Sequence, residues 1–141
     1  MDITLAETLA VVGERWALLV VREVSLGLRR FDELRDATGA PRGVLSDRLQ
    51  RLVAAGVLDT REYRLPGSRA RLEYALTDAG LDLLPVLAAL TDWGERHLAP
   101  GAVSEVVYRH GGCGGRVTAR LVCECGAEAG VHQRLIAQVN R

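Results

Sequence analysis

The residues with the most specific chemistry lie in the last third of the chain, in RHGGCGGRVTARLVCECGAEAG. His110, Cys113, Cys123 and Cys125 are spaced as H-x2-C, nine residues, then C-x-C. Imidazole nitrogen and thiolate sulfur are donors that tetrahedral Zn²⁺ takes, and a glycine after Cys113 and after Cys125 lets backbone amides turn toward the sulfurs. The C-x-C half is tight for a structural zinc site. Three readings stay open: a structural zinc, a β-hairpin whose thiols have no special role, and a redox pair in which Cys113 bridges to one of the others. Three thiols, an odd number, argue against a secreted disulfide scaffold.

A second set lies in PRGVLSDRLQRLVAAGVL, residues 41–58. Leu45, Leu49, Leu52 and Val53 recur at i, i+4, i+7 and i+8, an apolar stripe that packs on neighbouring helices. Gly43, Ser46, Asp47 and Gln50 fall roughly opposite, with Arg42 at the N-terminal end and Arg51 on the flank. In a DNA major groove, Ser46 and Gln50 can hydrogen-bond base edges, Asp47 can accept from a cytosine amino group, and Arg42 can reach a guanine or a phosphate. Gly43 would allow close approach of the backbone. The rival reading is a solvated face on which Asp47 and Arg51 pair at i,i+4.

Charge and context bear on that choice. The 141 residues carry 18 basic and 18 acidic groups, so no global field draws the chain to nucleic acid or membrane. From Arg15 to Arg71, however, 12 arginines face seven acids, a local excess that coincides with the polar helix face. Arg64, Arg69 and Arg71 bracket Pro66, Gly67 and Ser68, as expected of a mobile basic tip that touches phosphates or enters a minor groove, although a basic turn that is merely solvated fits these three residues equally well.

Other classes are disfavoured. His97, His110 and His132 lie near or within the tail, and no nucleophile elbow or Ser/His/Asp pattern accompanies them. HGGCGG lacks the context of a phosphate loop. A metal hydrolase would need a carboxylate base, and Glu124 is the one acid between the paired cysteines. The chain is therefore read as a non-enzyme. Its N-terminus has acids and no basic n-region before the apolar run, unlike a signal peptide, and WALLVV is too short to span a bilayer. A cytoplasmic location is the expectation.

The elements that must position these groups follow from periodicity and breakers. Leu5, Leu9 and Val12 predict a first helix, and RWALLVVREVSLG predicts a second closed by Gly27. RRFDELRDATG predicts a short helix with Phe31 and Leu34 inward and Gly39 as its stop. The next helix has Pro41 in its first turn and Gly56 at the C-terminal αL position, with no capping side chain at Ala40. VLDTREYRL and RLEYALT flank PGSRA as a β-hairpin. Thr77 and Asp78 then cap a long helix, DAGLDLLPVLAALTDWGERHL, which Pro85 either kinks or enters in its first turns. The predicted class is mainly α with a small hairpin, α+β, in the order of a winged helix-turn-helix. The predicted boundary falls after Leu98, with residues 1–98 as the winged helix-turn-helix DNA-binding and dimerisation domain and residues 99–141 as a Cys/His extension for which a zinc-ribbon-like element is one reading.

LAVVGERWALLVVREVSLGLRRFDEL, GAPRGVLSDRLQRLVAAGVLDTREY and RLEYALTDAGLDLLPVLAALTDWGERHL occur in that order, and over residues 5–98 the chain resembles the HxlR-type winged helix-turn-helix regulators of bacteria. The resemblance implies a homodimer that binds a pseudo-palindromic operator in double-stranded DNA, usually repressing neighbouring genes and sometimes activating them. It places Arg42, Ser46, Asp47 and Arg48 on the recognition helix and Arg64 to Arg71 in the wing. It implies that the first and last helices dimerise, with Leu5, Leu9, Leu84, Leu87 and Leu90 as candidates, and that Trp16 is core. Those leucines have an intradomain-core reading as well. Many members carry a cysteine about a dozen residues before that tryptophan; MDITLAETL has none, which excludes sensing through that thiol. The tail resembles an extension of some relatives in which the second pair is C-x2-C-G, one residue longer than here.

Two alternatives to a plain DNA-binding regulator stand beside it: a winged helix that binds another protein, and a regulator switched by metal or oxidation at the tail cysteines. A small-molecule effector is compatible, with no residue set that identifies it.

Overall fold

The computed structural model describes residues 3–129 and 135–139; His132 lies outside the described residues. The chain divides into two units, Met1–Leu87 and Ala88–Arg141, whereas the sequence pattern places a boundary after Leu98.

In the first unit, α1 (Ile3–Val12) and α2 (Arg15–Ser25) are separated by a tight corner at Gly13. The Gly13 amide donates to the Leu9 carbonyl at 2.8 Å, and a Cβ there would lie 3.0 Å from Leu9 Cα. The next residue, Glu14, is extended and caps α2 by accepting from the Ala17 amide at 3.3 Å. Helix α2 carries the buried Ala17, Val20, Val21 and Val24, and α3 (Phe31–Thr38) adds the buried Leu34 and ends on Gly39 at φ +73°.

Helix α4 (Arg42–Ala54) places Leu45, Leu49 and Leu52 in the core, each at most 1% exposed, as its apolar stripe predicts. Val53 is half-buried. Pro41 occupies the N-cap, one position before the expected first turn, and no side chain caps the helix there. The C-terminus is a Schellman motif: Val57 N–H reaches Leu52 O at 2.9 Å, Gly56 N–H reaches Val53 O at 3.0 Å, and Gly56 has φ +77°.

The chain then runs into β1 (Leu58–Tyr63), which pairs antiparallel with β2 (Arg71–Leu76) from Leu58 opposite Leu76 to Tyr63 opposite Arg71. A bridge from Arg30 to Glu73 adds a short third rung on the far side of β2.

The expected single helix after β2 is two. Thr77 accepts from the Gly80 amide at 3.1 Å and caps α5 (Asp78–Leu81), and α6 (Leu84–His97) starts one residue before Pro85. Pro85 has no N–H for the Leu81 carbonyl four residues back, and its ring would clash there, so α5 stops at Leu81. Gly80 is buried where a Cβ would lie 3.0 Å from Leu76 Cδ2 and closer still to the Val57 carbonyl.

In the second unit the acids of α6 serve the tail. Arg116 Nη2 lies 2.9 Å from Glu95 and 3.4 Å from Asp92, and Glu95 also accepts from the Ser104 amide at 2.8 Å. The Ser104 amide first and Arg116 second hold the Glu95 carboxyl below the usual carboxylate range. The tail makes two tight turns, one closed by the Arg109–Arg116 bridge and the other between β3 (Leu121–Val122) and β4 (Glu128–Ala129).

Candidate nucleic-acid interface

With its leucines buried, α4 turns a polar face outward. Arg42, Gly43, Gln50 and Arg51 are exposed, and Ser46, Asp47 and Arg48 are half-buried. No Cβ at Gly43 would meet a neighbour within 4 Å, so the backbone at this end of the helix is open.

The charges on this face are already arranged among themselves. Arg42 lies 3.6 Å from Asp32 and 5.1 Å from the centre of the Phe31 ring, both on α3, with its side chain 64% exposed. Asp47 takes Arg51 Nε at 3.0 Å and also pairs with Arg48. The i,i+4 pair of the solvated-face reading is thus present, and it coexists with an open Gln50 and Arg42. Arg48 turns away from the outer face: its Nε donates to Glu14 at 2.7 Å, and its side chain is 24% exposed. The hydrogen bond to Glu14, ahead of the contact with Asp47, raises the Arg48 pKa. Partial burial pushes Glu14 up, but the Arg48 hydrogen bond and the amides of Trp16 and Ala17 outweigh it and hold the carboxyl below its usual range.

The β1–β2 connection carries the second cationic group. Its turn is closed by Ser68 N–H to Leu65 O at 3.0 Å, with Gly67 at φ +77° and Ser68 half-buried. Arg64, Arg69 and Arg71 are exposed, and among the described residues none of them has an ion pair. Arg30, which sequence reasoning missed, stiffens the hairpin from outside: its guanidinium sits 4.2 Å from the Tyr63 ring centre and 3.5 Å from Glu73. Glu14 was missed too, because its partner is 34 positions away.

The other predicted residues are placed as follows. Leu5, Leu9 and Leu90 are each more than half exposed, Leu84 is half-buried, and Leu87 is buried. Trp16, expected in the core, is half-buried with the Arg15 guanidinium 4.2 Å from its ring centre.

In the tail, His110 and Cys113 share one turn and Cys123 and Cys125 the other, all four exposed. Gly115 N–H points at Cys113 Sγ at 3.4 Å. Hydrogen bonds from the Cys125 amide, then from its thiol, lower the Cys123 pKa. Among the described residues no three of His, Cys, Asp and Glu gather at one point that would hold an ion, so the four expected donors stand as two separate pairs. The second unit also has an open cleft of about 650 Å³, lined by Trp93, His97, Arg116, Arg120 and Leu121 among others.

The sequence and fold have clear relatives. An uncharacterised HTH-type transcriptional regulator of Mycobacterium tuberculosis, Rv3095, is 40% identical over 126 residues, covering 89% of this chain and 78% of that one. YvaP of Bacillus subtilis, of the same description, is 34% identical over 91 residues, covering 64% and 82%. The crystal structure of PA1607, a candidate transcription factor, matches with a TM-score of 0.78 and 29% identity, covering 98% of this chain and 96% of that one. The model of the HxlR-like helix-turn-helix matches residues 11–102. An exposed polar helix face beside a basic hairpin, on this fold and with these relatives, places the chain in a family: it belongs to the HxlR-like helix-turn-helix proteins.

Proposed function

We propose that the chain is a sequence-specific DNA-binding transcriptional regulator that acts as a homodimer on a pseudo-palindromic operator and represses neighbouring genes. The observation that carries the reading is the pairing of the outward face of α4, with Arg42, Gly43, Ser46 and Gln50, with a wing whose Arg64, Arg69 and Arg71 have no ion pair among the described residues. Gln50 and Ser46 suit base edges, and the wing arginines suit phosphates. Relatives described as transcriptional regulators support it.

For the dimer, support comes from the exposed leucines of α1 and α6, Leu5, Leu9 and Leu90, which leave apolar surface on both helices. Leu87 belongs to the core and is not part of that surface. No helix among the described residues is long and apolar enough to cross a membrane, and a cytoplasmic site of action suits a DNA-binding protein.

The test is a hydroxyl-radical footprint on the DNA flanking the chain's own gene. Two protected half-sites about 10 base pairs apart, or a multiple of that, match two recognition helices related by a two-fold axis. A single or absent footprint contradicts the dimeric-operator reading, and binding to a protein instead would make the winged helix an interaction module.

The tail supports a second, separate reading. Each turn has a candidate donor followed by a left-handed glycine, Cys113 by Gly114 at φ +72° and Cys125 by Gly126 at φ +88°. In each, the first donor residue pairs its amide across the turn, His110 N–H to Gly115 O at 2.9 Å and Cys123 N–H to Ala127 O at 2.8 Å. This likeness favours a structural zinc held by His110, Cys113, Cys123 and Cys125, which requires the two turns to close on the ion. One zinc per chain after purification without added metal, lost in Cys113→Ser, supports it; zinc-free protein of unchanged stability overturns it.

A further inference from the structure

Glu14 lies at the start of α2 and forms one end of a chain of alternating charges that reaches the outer face of α4. Its carboxylate accepts from the Ala17 amide at 3.3 Å and from Arg48 Nε at 2.7 Å. Arg48 pairs in turn with Asp47, and Asp47 takes Arg51 Nε at 3.0 Å. The Gly13 corner aims Glu14: the Gly13 amide is bonded to Leu9 O, and a side chain there would collide with the last turn of α1. Glu14 is therefore fixed by α1 and α2 and grips the middle of α4.

This arrangement has two effects on a DNA-facing surface. Arg48, in the centre of the helix sequence, is withheld from phosphate by its partner. Asp47, which alone would repel the phosphate backbone, is compensated from two sides. Among the described ion pairs within the first unit, Glu14–Arg48 is the one that ties α4 to the start of α2.

We propose that Glu14 is a positioning residue for DNA recognition: by anchoring Arg48 it sets the seat of α4, so that DNA affinity depends on a carboxylate that touches no DNA. The proposal rests on the DNA-binding reading of α4. It makes Arg48, which the family resemblance places on the recognition helix, a strut between α4 and the start of α2 and not a DNA contact.

The test uses the full chain and, as probe, the DNA fragment flanking its own gene, read by fluorescence anisotropy at several salt concentrations. Glu14→Asn keeps an N-cap acceptor but lacks the reach to Arg48, and Arg48→Met keeps the aliphatic stem without the charge. Each is expected to weaken binding on the order of tenfold, and the double variant to be no weaker than either single one, because the two residues act as a unit. Arg48→Met is expected to leave the salt slope unchanged. A drop in that slope of about one unit would show Arg48 on a phosphate and overturn the proposal. Wild-type affinity in Glu14→Asn, or additive losses in the double variant, would overturn it too. If Glu14→Asn fails to fold, Glu14→Gln, which keeps an acceptor for both bonds but no charge, is held to the same criteria. A wild-type chain that ignores the fragment removes the DNA reading itself, a result distinct from failure of the variants alone.

Discussion

Arg48 Nε stands 2.7 Å from Glu14 Oε2, so the helix that presents Gln50 and Arg42 outward is tied by a half-buried ion pair to the cap of α2. Glu14 does two things with one carboxylate, and its lowered pKa is where the two can be seen in solution.

Because the folded-state pKa of Glu14 lies below its ordinary value, the ionised carboxylate stabilises the fold above the usual carboxylate range, and that contribution is lost as pH falls through the folded-state pKa. Thermal unfolding between pH 7 and pH 3 is expected to show an acid-side loss of stability that is shallower in Glu14→Gln. Parallel curves for the two proteins would mean that Glu14 titrates unperturbed.

Base contact and phosphate contact should separate by variant. Gln50→Ala is expected to cost about 1–3 kcal/mol on the operator and little on random DNA, whereas Arg69→Ala should weaken both alike and lower the salt slope by about one unit. Competition titrations with operator and random duplexes measure both quantities. Equal losses on both DNAs for both variants would remove the division of labour between α4 and the wing.

The buried glycine of α5 gives a prediction independent of DNA. Gly80→Ala forces a methyl against the Val57 carbonyl and Leu76, where α5 meets the end of β2. The expected cost is about 1–3 kcal/mol, read as a lowered midpoint in chemical denaturation. Gly43→Ala, with open space around it, should leave stability nearly unchanged while reducing DNA affinity if the backbone approaches DNA there.

The tail cysteines differ in reactivity. Cys123, whose thiolate is favoured by the amide and thiol of Cys125, is expected to be alkylated first when the reduced protein meets a limiting electrophile at neutral pH. Site-resolved mass spectrometry reports the order. Preferential labelling of Cys113 would contradict the hydrogen-bonding pattern of the β3–β4 turn.

What was legible in the sequence was local. Leu45, Leu49 and Leu52 name the buried face of α4 because the helical period is enforced by geometry, and Gly56 names its end because a left-handed residue is cheapest as glycine. Thr77 names the start of α5 for the same kind of reason. Pro85 is compatible with a kink or a fresh start, and the choice depended on where the Leu81 carbonyl stood. Glu14–Arg48 and Arg30–Tyr63 were illegible, because pairs 34 and 33 positions apart are selected by packing and leave no periodic trace. In the tail, spacing identified donors suited to zinc, but four donors become a site only when the backbone closes them, and spacing does not encode that closure.

The most direct measurement is binding of the purified chain to the DNA flanking its own gene, against excess random competitor, at two salt concentrations. The expected result is a complex that survives competitor and weakens steeply as salt rises, because several arginines displace counterions from phosphates. A complex that is lost to competitor at both salt concentrations, or an affinity indifferent to salt, would contradict it.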